Sequence, residues 1–355
     1  MFLSCGLDFP SREEKLHKNY RLLMVVVLLL AACSLTEPGE GEGPVDVPFT
    51  ESPGLPANTA VLEGATTDGG VTSAIEEEGE TEVVPETAGA ISGDQEPTKT
   101  PFPEKWMWEP VVPEVSERAV EIYRQGMEMG KDPRAFSKIG DCQNITDFFF
   151  SAYENPDSFT LGGEYAYLAP AIQQFQGSFG RESLAVEGGM NVAAVLSPLR
   201  ADPGQCGGSY SPLICEILNH RPTIAIISFE EWWGEKSAET YEGYLRQVVE
   251  QTIAQGVVPI LVTKADNLEG DHSINQAIVN LADEYQIPLW NFWRAVQDLP
   301  DQGLRDDNFH LTYKKHCYHF DSAECLEYAW TWRNLTGLQA LHAVWAGLSQ
   351  EAQSE

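Results

Sequence analysis

The tryptophans of this chain are confined to one part of it, and that distribution limits where a hydrophobic core can form. All nine tryptophans lie after position 105. Residues 34–103 contain fifteen acidic residues and one lysine, and Phe49 and Phe102 are the only aromatic residues among them. Large aromatic and aliphatic side chains supply much of the apolar surface that folding buries. A packed domain is therefore expected from residues 104–355, a length near the upper size of a single domain.

The net charge argues against one class of partner. The chain has 54 acidic and 22 basic residues, for a formal net charge of -32. Proteins that bind the phosphate backbone need clustered lysine and arginine to displace counterions. We therefore expect no nucleic-acid partner.

Residues 1–33 have the features of an export signal. An unbroken apolar run, Leu22 to Ala32, follows a segment with several basic residues. A helix that spans a bilayer needs about 20 apolar residues, so this shorter run fits the hydrophobic region of a signal peptide. The run ends in Leu-Ala-Ala followed by Cys33, which resembles a bacterial lipobox, where the cysteine receives the lipid. An ordinary secretory signal that ends in a cysteine by chance is the alternative.

Residues 34–103 are expected to form a disordered tether. They are rich in Gly, Pro, Glu and Thr, and their low hydrophobicity and like charges favour an extended chain without a core. An acidic tail that binds a metal or a partner is a less favoured reading, because no spacing in the segment repeats. Together with the signal, the segment predicts a protein lipid-anchored to the bacterial cell membrane on its extracytoplasmic side.

The cysteines after residue 104 fall into two close pairs and one single residue. Cys206 and Cys215 are nine positions apart, and Cys317 and Cys325 are eight apart. In an exported domain, such local pairs are typical of disulfides. Cys142 is then expected to be a free thiol, and an odd thiol in an exported protein calls for a functional reason.

Apolar strands and amphipathic helices alternate along the second part of the chain. Continuous apolar strands separated by helices indicate a parallel sheet covered on both faces. The predicted fold class is α/β: a three-layer α/β/α sandwich with a mainly parallel, flavodoxin-like sheet. The expected strands are 135–139, 223–229, 257–262 and 287–292, and the expected helices are 114–129, 238–255, 274–285 and 338–348.

Three loops are expected at the carboxyl edge of that sheet, where the sites of such folds lie. The first is a Gly-Asp turn that ends in Cys142, and the second contains Gly188 and Gly189. The third contains Asp307 and His310, whose spacing lets one turn direct both side chains the same way. The carboxylate can then hold one imidazole nitrogen while the other faces a nucleophile.

The order of these loops resembles the SGNH, or GDSL, hydrolase family. In that family a Gly-Asp-Ser turn carries the nucleophile, a later glycine donates an N–H to the oxyanion, and an Asp-x-x-His supplies the orienting acid and the base. The resemblance implies an ester hydrolase with Cys142 as nucleophile, His310 as general base and Asp307 as its orienting residue. The N–H of Cys142 and that of Gly188 or Gly189 would bind the oxyanion. No metal or cofactor is implied.

Two positions depart from the family pattern within the 130–315 region that the resemblance covers. Cys142 stands where the family has serine. The block that supplies an asparagine donor to the oxyanion falls on residues 230–233, which read Glu-Glu-Trp-Trp. Loss of one such donor costs about 10²–10³ in rate in other enzymes. A cysteine beside a histidine can still be an effective nucleophile when its thiolate is stabilised.

Two functions follow from this pattern as expectations. The first is hydrolysis of an ester, such as an acyl or acetyl group on a polysaccharide, by a monomer that contacts the membrane through its lipid anchor alone. The second is a non-catalytic lipoprotein that binds glycan or peptide in the same pocket. Cys142 could also be a small buried hydrophobic residue. A zinc site at His316, Cys317 and His319 is disfavoured, because Cys317 is expected to form a disulfide with Cys325.

Cys33 is predicted to carry the lipid after export. Replacing Cys33 with alanine should abolish incorporation of a radiolabelled fatty acid, whereas the matched control Cys5→Ala should incorporate the label normally. Undiminished labelling of the Cys33→Ala protein would contradict the lipobox assignment.

Overall fold

The computed structural model describes residues 104–230 and 237–351. The predicted signal at 1–33, with Cys33, and the predicted tether at 34–103 lie outside the described residues. The described α-helices and β-strands, in chain order, are α1 Glu117–Glu128, β1 Asp132–Gly140, α2 Ala169–Gln174, α3 Pro203–Cys206, α4 Pro212–His220, β2 Pro222–Ser228, α5 Ala238–Ala254, β3 Val258–Val262, α6 Ser273–Tyr285, β4 Leu289–Trp290, α7 Phe292–Val296 and α8 Ala329–Glu351.

The sheet is parallel throughout its four strands. Its order is β1-β2-β3-β4, with Ile139 opposite Ile227 and Ile227 opposite Leu261. A parallel bridge joins Gly140 to Val186 on the outer side of β1. Because the segment around Val186 comes second in the chain, it extends the order to 2-1-3-4-5, which is the flavodoxin-like order predicted from the sequence.

Helices cover the sheet in two groups. Helix α1 contacts β2, β3 and α8, and α8 also contacts α2. Helices α4, α5 and α6 pack in succession, with α4 against β1 and both α5 and α6 against β3. Strand β2 is buried along its whole length, as expected for a strand with layers on both faces. None of the described helices is long and apolar enough to cross a membrane.

Three of the described helices begin at serine residues that cap them. The side chains of Ser116, Ser211 and Ser237 each accept a hydrogen bond from a backbone N–H in the first turn of α1, α4 and α5. Such caps satisfy amide groups that have no partner inside the helix. The predicted strands and helices are confirmed in kind and place, although their ends differ, most of all in β4 and α8.

Strand β4 is shorter than predicted, and α8 is longer. The side chain of Asn291 accepts a hydrogen bond from the N–H of Arg294 and starts α7, which ends the strand after two residues. Helix α8 begins at Ala329, nine residues before the predicted start. Its first turns contain Arg333 and Asn334, whose polar side chains interrupt the apolar pattern in the sequence although both are buried.

Both predicted local disulfides are confirmed. Cys206 is bonded to Cys215, and Cys317 is bonded to Cys325. The first joins α3 to α4, and the second closes the loop that precedes α8. In the chain-entropy account, closing such short loops stabilises the folded state by restricting the unfolded chain.

Replacement of Gly140 at the end of β1 is predicted to destabilise the folded protein. Its φ is +151°, and a Cβ there would lie 1.9 Å from the carbonyl oxygen of Ser228. Gly140→Ala should lower the free energy of unfolding by at least about 1–3 kcal/mol, the cost of a strained backbone position. The control is Gly243→Ala, an exposed helical position with open space, where the change should be neutral or stabilising by up to about 1 kcal/mol. Urea unfolding midpoints measure both, and equal midpoints would contradict the close packing at Gly140.

Candidate active site

The turn after β1 is fixed by a buried carboxylate. Asp141 is fully buried, and its Oδ1 accepts a hydrogen bond of 3.1 Å from the N–H of Gln143. Its Oδ2 accepts one of 2.5 Å from the N–H of Glu230, which follows β2. Asp141 therefore caps the short 3₁₀ helix Cys142–Asn144 and ties the carboxyl ends of two neighbouring strands together.

Cys142 lies in this turn, but the prediction that it is a free thiol is wrong. The residue is buried and disulfide-bonded. Its partner is none of the four cysteines in the two short loops, since those are bonded to each other. A disulfide sulfur is not a nucleophile, so chemistry at Cys142 would require thiol–disulfide exchange first.

Gly188 and Gly189 lie beside that turn. The N–H of Gly140 donates to Ala185, and the N–H of Glu187 donates to Gly140, which places the glycine loop at the end of β1. Both glycines are exposed, and Gly189 has a φ of +78°. Within the described residues, neither glycine N–H donates a hydrogen bond, so both groups are available to an anionic oxygen.

Asp307 and His310 form the hydrogen-bonded pair that their spacing predicts. Oδ2 of Asp307 lies 2.6 Å from Nδ1 of His310. Oδ1 of the same carboxylate accepts from the backbone N–H groups of Phe309 and His310. The imidazole is held by its inner nitrogen, and the outer nitrogen, Nε2, is buried and makes no hydrogen bond in the described part of the chain. A buried polar atom without a partner is uncommon and calls for an explanation.

The environment of Asp307 keeps it ionised. Partial burial raises the pKa of its carboxyl, but the hydrogen bonds from the His310 ring and from two backbone N–H groups outweigh burial, so the pKa lies below its usual value. An ionised Asp307 favours a proton on Nδ1 and leaves Nε2 as the basic nitrogen.

The hairpin that carries this pair is attached to α8. Leu304 and Leu311 form an antiparallel bridge, with Asp307 and His310 in the turn between them. Thr312, which follows, binds the start of α8: its Oγ1 accepts from the N–H of Ala329, and its carbonyl accepts from Trp330. The same helix reaches the strand ends through Arg333, whose contacts bring the first and last parts of the domain together.

Arg333 is a buried residue of this edge that the sequence reading missed. Its Nε donates to the carbonyl of Gln143 over 3.0 Å, and one terminal nitrogen donates to Oγ of Ser228 over 2.7 Å. The guanidinium lies about 5 Å from the ring centres of three aromatic residues, Phe149, Trp290 and Phe292. Nothing in the sequence indicates its burial, since arginine is mostly exposed and this stretch also contains Thr331, Asn334 and Thr336.

Glu230 occupies the place where the family resemblance expected the asparagine block. Its carboxyl is fully buried, with Oε1 3.8 Å from NH1 of Arg333. Burial raises its pKa well above the usual value, the negative charge of Asp141 raises it further, and Arg333 offsets this only in part. The remaining residues of that block, 231–233, lie outside the described residues.

A second buried ion cluster follows β3. Nζ of Lys264 lies 2.7 Å from Oδ1 of Asp266 and 2.6 Å from Oε2 of Glu269. Burial lowers the pKa of Lys264, but the two carboxylates raise it more, so the lysine stays charged. This cluster was not predicted, because Lys and Asp after a strand are also common in exposed loops. In the described part of the chain, no group of three or more His, Cys, Asp or Glu side chains is placed to hold a metal ion.

Comparison with known proteins gives distant structural matches. No family model matches the chain, and no curated protein matches it. Among solved structures, a GDSL-like lipase from Bacteroides thetaiotaomicron is similar at 15% identity, with a TM-score of 0.32 over 55% of this chain and 90% of that one. The structure of TesA is similar at 15% identity, with a TM-score of 0.33 over 57% of this chain and 99% of that one. Similarities at this level do not identify an activity.

The raised pKa of Glu230 predicts a pH-dependent effect on stability. The folded protein keeps a proton on Glu230 at pH values where the unfolded chain has released it, so this residue makes stability fall as pH rises above about 4.5. Glu230→Gln mimics the protonated form. The variant should gain stability relative to the parent as pH rises from 4.5, by about 1.4 kcal/mol per pH unit until Glu230 ionises in the folded protein. Exposed Glu128→Gln is the control, and parallel stability curves for parent and Glu230→Gln would contradict the assignment.

Proposed function

We propose that this protein hydrolyses ester bonds, with His310 as general base and Asp307 as the residue that orients it. One observation carries the proposal. His310 is fixed through Nδ1 by an ionised carboxylate 2.6 Å away, while Nε2 is buried and has no hydrogen-bond partner in the described residues. A histidine that only served the structure would be expected to satisfy both nitrogens, whereas a general base needs one nitrogen whose lone pair is not already engaged.

These groups account for each step of ester hydrolysis. Nε2 of His310 removes a proton from a water molecule, and the hydroxide oxygen forms a bond to the ester carbonyl carbon. The carbonyl electrons move to oxygen, and the oxyanion accepts hydrogen bonds from the N–H groups of Gly188 and Gly189. The oxyanion then collapses, the bond to the alkoxide breaks, and the leaving alkoxide takes the proton from His310. The carboxylate of Asp307 stabilises the imidazolium in between.

Cys142 is not needed as a thiol in this scheme. Its position in the turn after β1 matches the family's nucleophile, and exchange with an external thiol would release it. The released thiolate would then replace water as the attacking group: its sulfur bonds to the carbonyl carbon, the alkoxide leaves and takes a proton, and water hydrolyses the resulting acyl-thioester. Activity measured with and without a reductant distinguishes the two routes.

The substrate is proposed to be an acyl or acetyl ester on a polysaccharide outside the cytoplasm. The proposal is supported by the export signal and acidic tether in the sequence, which predict a lipid-anchored protein on the bacterial membrane. Two local disulfides also fit an oxidising compartment. We further propose that the protein acts as a monomer and contacts the membrane through its lipid alone.

The alternative, a non-catalytic protein that binds glycan or peptide at this edge, is supported by two observations. Cys142 is disulfide-bonded, and Glu230 stands where the family has its asparagine block. A binding protein of this kind would keep the fold and the pocket without turnover.

Hydrolysis of 4-nitrophenyl acetate separates the two functions. The purified protein should hydrolyse it, and His310→Ala should lower kcat/KM by about 10²–10⁴-fold, the contribution of a general base. Asp307→Asn should lower it by a smaller factor. The control is His319→Ala, which removes a half-buried histidine that is hydrogen-bonded to Thr160, and it should leave the rate unchanged.

Adding a reductant tests the nucleophile in the same assay. A hydrolysis rate that rises with reductant and is lost in Cys142→Ala identifies the Cys142 thiol as the nucleophile. A rate that changes with neither identifies water as the nucleophile. Turnover equal to that of the His310→Ala protein under both conditions would reject the hydrolase and leave the binding function.

A further inference from the structure

A groove borders α8 and is lined by neither residue of the Asp307–His310 pair. It has a volume of about 470 Å³ and is bounded by the segment after Trp108, by α7 and by the first turns of α8. This volume falls within the range of about 300–1,000 Å³ that small-molecule sites occupy. Trp332 lines the groove, and the next residue, Arg333, points into the strand edge. The groove therefore lies on a different face of α8 from the strand-edge contacts.

Two aromatic rings, together with Pro110, Val111, Ala295 and Leu299, supply the apolar part of this groove. Trp108 forms one wall and is 68% exposed, which is unusual for the largest apolar side chain. The indole N–H of Trp332 donates to the carbonyl of Leu326 over 2.7 Å, so this ring is held in place. At the rim, Gln339 donates to the hydroxyl of Tyr167, itself 49% exposed. The groove thus contains one ring held by a hydrogen bond, Trp332, and one exposed ring, Trp108.

Planar polar side chains supply most of the polar lining. Arg294, Asp298 and Gln339 all border the groove. Arg294 and Asp298 are 4.0 Å apart at the groove wall, so their groups face the same space. Guanidinium, carboxylate and amide groups together donate and accept hydrogen bonds in pairs, which suits a ligand with adjacent hydroxyls.

The charges around the groove select a neutral ligand. Arg294 stands opposite Asp298, and Glu109 is paired with Lys105 at 3.1 Å, so positive and negative groups balance locally. The chain as a whole carries a net charge of -32, which repels polyanions at long range. An anionic glycan or a nucleic acid would meet no basic cluster here.

We propose that this groove binds a neutral oligosaccharide, with Trp108 stacking on the face of a sugar ring and the polar residues binding its hydroxyls. A sugar has apolar C–H faces and a rim of hydroxyls, which match this combination of rings and planar polar groups. The inference does not rest on the proposed hydrolysis, because no residue of the groove belongs to the Asp307–His310 pair. It would give the protein a site that retains a polysaccharide independently of any reaction on it.

Titration calorimetry of the full chain tests the groove. The probes are neutral tetrasaccharides of β-glucan, chitin and mannan, with an oligogalacturonate as the anionic probe. At least one neutral probe should bind, and Trp108→Ala should weaken it by about two- to tenfold, the range for one aromatic stacking contact. The matched control is Tyr210→Ala, an aromatic residue 49% exposed outside the groove, which should not change the affinity.

Repeating the titration with the His310→Ala protein separates this inference from the hydrolase. Unchanged binding there is expected, and binding lost with His310 would place the sugar at the other site and overturn the proposal. Binding of the anionic probe alone, affinity equal in Trp108→Ala and the parent, or no binding by any neutral probe would each overturn it as well.

Discussion

The carboxyl edge of the sheet depends on one buried cation, the guanidinium of Arg333. It binds the carbonyl of Gln143 after β1 and the hydroxyl of Ser228 at the end of β2, and aromatic rings surround it. Burying a charge is costly unless it is paired and hydrogen-bonded, and removing one partner of a buried pair costs about 3–5 kcal/mol. Because α8 supplies this cation and also anchors the hairpin of His310 through Thr312, the last helix of the fold positions the site at both ends.

The charges buried near Arg333 favour a protonated acid at this edge. Glu230 follows β2 directly, and burial together with the charge of Asp141 favours its neutral form. A neutral carboxylic acid presents one donor and one acceptor, as a side-chain amide does, whereas a carboxylate only accepts. The edge therefore holds two buried acids: Asp141, which caps a turn, and Glu230, whose raised pKa limits the net charge buried there.

Much of the fold and part of the site could be predicted from the sequence. The apolar runs at 223–229 and 257–262 identified central strands because fully buried strands lack polar alternation. The three-residue spacing of Asp307 and His310 predicted their pairing because a single turn sets that geometry. Arg333 could not be predicted, since its role depends on contacts with residues about 100 and 190 positions away. The state of Cys142 also depended on pairing that local spacing does not determine.

The protonation of the two nitrogens of His310 tests the central claim most directly. Nitrogen-15 NMR of the imidazole, at a pH where the ring is neutral, distinguishes a nitrogen that carries hydrogen from one with a free lone pair. The hydrogen bond to Asp307 predicts a proton on Nδ1 and a free lone pair on Nε2, with this preference lost in Asp307→Asn. A proton on Nε2 in the parent protein would contradict the account, because His310 would then have no basic nitrogen facing a substrate.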